Sequence, residues 1–216
     1  MRYPLIVFDW DGTLADSAGA IVEAIQQASR ELGLAVPDRE RASHVIGLGL
    51  QDSLRHAVPE LPRERYAEFV DAYREHFRAR EGATGMFPGV EELLGALRQR
   101  GHRLAVATGK SRRGLERAFE RSGLGVHFVA SRCADETFPK PDPAMLRELI
   151  AELVLEPRDV LMVGDTSHDL EMAASAGVDA LAVTYGAHAA ESLRALAPRG
   201  VVSSVKELSA WLARHA

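Results

Sequence analysis

The chain has 216 residues, 46% hydrophobic and 26% charged, with a formal net charge of −5 from 26 Lys and Arg against 31 Asp and Glu. This balance argues against a disordered or fibrous chain and gives no global electrostatic reason to seek nucleic acid or an anionic membrane. The single Cys133 excludes an intramolecular disulfide and any multi-thiolate metal site.

Leu5–Phe8 reads as a strand buried on both faces, short and branched-rich, ending at the polar turn Asp9-Trp10-Asp11-Gly12-Thr13. The apolar run before Asp9 is too short for a signal-peptide core, and no stretch approaches the roughly 18 apolar residues of a membrane span. A soluble cytoplasmic protein is expected. From Asp16 to Glu81 the pattern changes and no buried strand is predicted. Ile21, Ala24, Ile25, Ala28 and Leu32 mark one helix, Leu50, Leu54 and Val58 a second, and Tyr66, Phe69, Val70, Tyr73 and Phe77 a third. Small residues flank this block at Ala15-Asp16-Ser17-Ala18-Gly19 and Gly82-Ala83-Thr84-Gly85. It reads as a helical insertion between two linkers.

Beyond it, Val90, Leu93, Leu94 and Leu97 have helical spacing. Leu104–Ala107 predicts a second buried strand, followed by Thr108-Gly109. Leu115, Ala118 and Phe119 mark a helix closed by Gly123, and Val126–Ala130 is a weaker strand candidate. Asp142-Pro143 is placed as an N-cap with Pro at the first helical position, ahead of the apolar face Met145, Leu146, Leu149, Ile150 and Leu153. Val160–Val163 is a third buried strand, ending at Gly164-Asp165. A short helix over His168–Ala176, a weaker strand at Ala180–Val183 and a closing helix over Ser204–Leu212 complete the chain. Doubly buried strands alternating with helices predict an α/β fold with a parallel sheet.

In such a sheet, ligands bind beyond the C-terminal ends of the strands. There the chain places Asp9, Asp11, Thr108, Asp165 and Asp169, with Lys140 in Pro139-Lys140-Pro141 just before a helix. If these strands are neighbours, four carboxylates, one hydroxyl and one ammonium face one crevice. Clustered carboxylates need a positive partner, and oxygen ligands without thiolates suit Mg²⁺ rather than Zn²⁺. Mg²⁺ in turn brings phosphate, whose remaining charge Lys140, Thr108 and backbone N–H groups can meet. The plainer readings are turn or capping aspartates and a solvated lysine.

Four runs carry a resemblance. Asp9-Trp10-Asp11-Gly12-Thr13-Leu14-Ala15-Asp16-Ser17, Thr108-Gly109, Lys140-Pro141-Asp142-Pro143 and Gly164-Asp165-Thr166-Ser167-His168-Asp169 resemble, in order and spacing, the four motifs of the haloacid dehalogenase-like hydrolases. Val183-Thr184-Tyr185-Gly186 and Val201–Leu208 further resemble the phosphoglycolate phosphatase-like branch. The resemblance implies a Rossmann-like parallel-sheet core over 1–15 and 82–216, with a small α-helical cap domain over 16–81. It implies a phosphoric monoester hydrolase acting through an aspartyl-phosphate on a small phosphorylated metabolite. Asp9 would be the nucleophile and Asp11 the general acid and base. Asp9, Asp11 through its carbonyl, and Asp165 would hold Mg²⁺, with Asp169 a ligand or an orienting group, and Thr108, Gly109 and Lys140 would bind phosphate.

Asp11 argues against dehalogenation, because dehalogenating relatives lack an acid there. Trp10 should point away from the acids into packing. Candidate substrate contacts are Gly47, in Ile46-Gly47-Leu48-Gly49-Leu50, together with Arg112 and His168. Residues 15–19 and 81–87 are expected to be hinges. 2-Phosphoglycolate is one candidate substrate. Sugar phosphates, nucleotides, pyrophosphate, a phosphomutase or a non-catalytic phosphoryl-binding switch are the alternatives. A monomer or weak homodimer is expected.

Overall fold

The computed structural model describes residues 2–82 and 84–216; Met1 and Ala83, the latter inside the expected second linker, lie outside the described residues. Strands β1 (Leu5–Phe8), β2 (Arg103–Thr108), β3 (Ala130–Cys133), β4 (Val160–Gly164), β5 (Asp179–Val183) and β6 (Gly200–Val202) form one sheet. Every pairing is parallel and the order is β3-β2-β1-β4-β5-β6.

Successive strand side chains point to opposite faces. Ile6, Phe8, Leu104, Val106, Leu161 and Val163 therefore meet helices α5 (Val90–Gln99), α6 (Arg112–Ser122) and α10 (Val205–His215) on one side. Leu5, Val7, Ala105, Ala107, Val160 and Met162 meet α7 (Ala144–Glu152), α8 (Ser167–Ala176) and α9 (Ala190–Ala195) on the other. Both faces are covered, so the central strands read as continuous apolar runs. Each fully buried Leu or Val among them contributes about 1.5–3 kcal/mol.

The remaining helices, α1 (Ala18–Glu31), α2 (Arg39–His44), α3 (Leu50–Ala57) and α4 (Tyr66–Glu81), enclose a third cluster that includes Ile25, Leu54, Phe69 and Phe77. The segments joining them to the sheet run side by side. Ala15 bridges Met86 in antiparallel fashion, Asp16 N–H donates to the Gly85 carbonyl at 2.9 Å, and Phe87 N–H donates to Leu14 at 2.9 Å. Trp10 is buried, as expected, in edge-on contact with Phe119 and Phe128.

Two local expectations need correction. The strand expected at Val126–Ala130 starts only at Ala130, and a 3-10 turn occupies Leu124–His127. Val126 and Val129 are 75% and 55% exposed, so their hydrophobicity marks no core strand. Helix α7 begins one residue later than expected, with Pro143 as N-cap and Asp142 Oδ1 accepting from Ala144 N–H. Strand β6 and helices α2 and α9 have no counterpart in the sequence pattern, so four helices stand between Asp16 and Glu81 where three are expected.

Candidate active site

Phe8 pairs with both Val106 and Val163, so Asp9, Thr108 and Asp165 emerge together at the C-terminal edge of the sheet. Asp9, Asp165 and Asp169 are fully buried and bring carboxylate oxygens within 4.8 Å of one another. Asp165 accepts from Thr13 Oγ1 and from Ala187 N–H, both at 2.7 Å. Gly12, at φ +82°, makes this possible, because a Cβ there would run into the Asp165 carboxylate.

Asp169 is placed by a helix start. Thr166 is the N-cap of α8 and completes a capping box with Asp169, whose Oδ2 accepts from Thr166 N–H at 3.1 Å. Its Oδ1 lies 2.6 Å from Lys140 Nζ, which also lies 2.8 Å from Asp9 Oδ1. Lys140 is completely buried, so the ammonium is embedded between two acids.

Asp11 stands apart from this triad. Its carboxylate accepts from Ser17 Oγ at 2.6 Å and pairs with Lys110 Nζ at 2.9 Å. Ser17 is the N-cap of α1 yet makes no side-chain cap bond, having given its hydroxyl to Asp11. Thr108 Oγ1 accepts from Lys110 N–H at 3.2 Å. Lys110 is the partner that the sequence reading missed. It follows Thr108-Gly109 directly, but nothing local to the sequence pairs it with Asp11.

The electrostatics follow from burial. Burial pushes the Asp9 carboxyl up to about 7, with Lys140 pulling it down and Asp169 pushing it further up. Asp165 is raised by burial and by the charges of Asp9 and Asp169. Burial opposes the charge on Lys140, but Asp169 and Asp9 outweigh it and hold the proton in place. With all three carboxylates ionised the cluster would carry more negative charge than one ammonium offsets, and their mutual repulsion adds to burial in raising Asp9 and Asp165. Asp9 Oδ2 is buried with no hydrogen-bond partner. Three oxygen donors, one of them orphaned, fit a hard divalent cation.

A cavity of about 300 Å³ opens from Asp9 and Asp11 into the helices α1–α4, and Gly47, Gly109 and Lys110 also line it. Gly47, at φ +91°, comes so close to the sheet edge that a Cβ on Gly109 would lie 2.7 Å from its carbonyl oxygen. Two other expected substrate contacts are engaged elsewhere. Arg112 is held by Glu136 at 2.7 Å and by Ser131 Oγ at 2.9 Å, away from the cavity lining. His168 Nε2–H donates to the His44 carbonyl at 2.7 Å. His188 joins them, its Nε2–H donating to the same carbonyl at 3.2 Å while its Nδ1 accepts from Ser167 N–H at 3.0 Å. These three histidines clasp α2 to the sheet-bearing part. They are too far apart in sequence for any motif to link them.

The family model for the haloacid dehalogenase-like hydrolases matches residues 6–183, a span that contains Asp9, Asp11, Thr108, Lys110, Lys140, Asp165 and Asp169. The chain belongs to this family. It is 37% identical to "Probable phosphatase IndB" of Dickeya dadantii over 95% of this chain and 91% of that one. It is 35% identical to "Tyrosine-protein kinase PtkA" of Mycobacterium tuberculosis over 84% of this chain, which spans 62% of that protein. It is 32% identical to the phosphoglycolate phosphatase of Agrobacterium fabrum over 85% of this chain and 81% of that one. A predicted phosphatase from Clostridium acetobutylicum superposes with a TM-score of 0.87 at 26% identity, covering 99% of this chain and all of the other. The family member described here falls in the phosphoglycolate phosphatase-like branch. Among the described residues no helix is long and apolar enough to cross a membrane.

Proposed function

We propose that this protein is a magnesium-dependent phosphatase that hydrolyses a small phosphate monoester through a phosphoryl group carried on Asp9. The observation that carries the reading is Asp9 itself. It is a buried carboxylate with one oxygen on Lys140 and the other unpartnered, and it lines the cavity that Asp11 also lines.

The Asp9 carboxylate attacks phosphorus as the ester P–O bond breaks, and Asp11 gives its proton to the departing oxygen. Asp11 then takes a proton from water, which attacks phosphorus, breaks the bond to Asp9 and releases inorganic phosphate. Lys110 and Ser17 hold Asp11 in position for both transfers. Lys140 neutralises Asp9 and keeps it aligned. Thr108 would donate a hydrogen bond to a phosphoryl oxygen beside Gly109, which lines the cavity.

Asp9, Asp165 and the Asp11 carbonyl would hold Mg²⁺, which when bound neutralises and orients the phosphoryl oxygens. Asp169, with Oδ2 in the capping box and Oδ1 on Lys140, orients its neighbours. Helices α1–α4 act as a cap that closes over the ester, with the paired segments at Ala15 and Met86 as the hinge.

The test is phosphate release from a panel of esters containing 2-phosphoglycolate, sugar phosphates and nucleotides, with magnesium and then with EDTA. Magnesium-dependent release that disappears in Asp9→Asn supports the reading. Release that survives either change refutes it.

A further inference from the structure

We infer that the leaving group of the substrate is an uncharged apolar body, a ring or a branched chain, and not a small acid such as glycolate. This deepens the phosphatase reading and rests on it. The cavity that begins at Asp9 and Asp11 is walled on the cap side by Ile21, Ile25, Leu54, Phe69 and Val70, all buried members of the cap's own apolar cluster. Tyr73 and Phe77, stacked with centroids 6.0 Å apart, add an aromatic surface. A leaving group that enters this space is desolvated against hydrocarbon.

A second carboxylate on the substrate would find little to offset it there. Lys110 is committed to Asp11 at 2.9 Å and lies over the Phe77 ring, 5.2 Å from its centroid. Arg74 is half exposed and pairs with Asp71 at 3.6 Å. Arg117, on α6, is a third exposed, with its nearest acid, Glu81, at 3.9 Å and its Nε without a hydrogen-bond partner. Its buried Nε faces no acceptor, and it stands on α6, outside the wall of Ile21, Ile25, Leu54, Phe69 and Val70, which itself carries no cation. An ionised group against that wall would lose its hydration with no compensating charge, whereas an apolar group gains by leaving water. At about 300 Å³ the cavity also has the volume of a small organic ligand site, more than phosphate alone needs.

The experiment compares kcat/KM for benzyl phosphate and 2-phosphoglycolate, whose leaving alkoxides are of similar basicity, with magnesium present. Acetyl phosphate, an activated acyl phosphate that asks little of the cap, reports the chemistry separately. Benzyl phosphate should be preferred about ten-fold or more, with the difference in KM. Leu54→Arg, which sets a cation in the apolar wall, should move the ratio toward 2-phosphoglycolate. If that variant does not fold, Leu54→Ala serves in its place and should raise KM for benzyl phosphate. Turnover of acetyl phosphate with 2-phosphoglycolate equal or preferred overturns the inference and leaves the phosphatase reading standing. No turnover of any of the three overturns both.

Discussion

Gly109 and Gly47 meet backbone against backbone where the cap touches the sheet edge, so closely that a Cβ on Gly109 would lie 2.7 Å from the Gly47 carbonyl oxygen. The neighbouring atoms are main chain and cannot swing aside as a flexible side chain would. Gly109→Ala should therefore hold the cap off the site while each part keeps its own core. The expected result is a fall in kcat/KM of about ten- to a hundred-fold, since small misplacements of reacting groups are costly. The urea midpoint should change little. A variant with wild-type kinetics would show that closure does not need this contact.

Among the described residues Lys140 is the one ammonium buried with Asp9 and Asp169. Lys140→Met leaves those acids buried without it, at a cost of about 3 kcal/mol or more. Magnesium should restore part of that loss by binding only the folded chain. Thermal melts of both proteins, with magnesium and with EDTA, measure this directly. The stabilisation by magnesium should be larger in the variant, and Asp165→Asn should abolish it.

Asp9 and Asp11 should separate kinetically. Asp9→Asn removes the attacking oxygen and should lower turnover by about a thousand-fold or more for every ester. Asp11→Asn removes the proton donor, so its deficit should shrink for substrates whose leaving oxygen needs no proton, such as aryl phosphates with acidic phenols. Equal deficits across a series of leaving groups would deny Asp11 that role.

The clasp between cap and core has an asymmetry that mutation exposes. His168 donates a side-chain N–H, but what it meets on the cap is the backbone carbonyl of His44. His44→Ala keeps the acceptor, whereas His168→Ala removes the donor, a bond worth about 1 kcal/mol. Hydrogen exchange over residues 45–49 should quicken in His168→Ala and change far less in His44→Ala.

Acid should weaken the core at a different histidine. His102 is buried, and Nδ1–H donates to the Tyr3 carbonyl at 2.9 Å. Burial lowers its pKa from the ordinary value of 6.5. The unfolded chain then binds the proton more readily than the folded one. Its stabilising effect is complete above 6.5 and is lost as the pH falls toward the folded value. The urea midpoint should drop between pH 7.5 and 5.5, and it should drop less in His102→Gln.

The parts of this molecule that the sequence makes legible are those where one residue type has one cause. Leu5–Phe8, Leu104–Ala107 and Val160–Val163, the inner parts of β1, β2 and β4, are apolar throughout because helices cover both faces, and Asp9, Thr108 and Asp165 stand out because they end those runs at the sheet edge. Strand β3 escapes this logic. It is an edge strand carrying Ser131 and Arg132, with Arg132 facing Glu148 and Glu152 and only Cys133 buried. Strand β6 spans three residues, too few for a pattern. The pairing of Lys110 with Asp11 and the clasp of His44, His168 and His188 arise from folding alone, since no local rule relates positions so far apart.

The central place of β1 also governs the order in which the protein can assemble. Leu5–Phe8 leaves the ribosome well before its neighbours in the sheet, Arg103–Thr108 and Val160–Gly164. During synthesis this strand must wait, with both edges unpaired, while the whole of α1–α4 is made. Those helices depend mainly on one another for their apolar cluster and can close first. Nascent-chain proteolysis should therefore find α1–α4 protected before Leu5–Phe8. A pause in translation between Glu81 and Arg103 would prolong the interval in which that strand is open to aggregation.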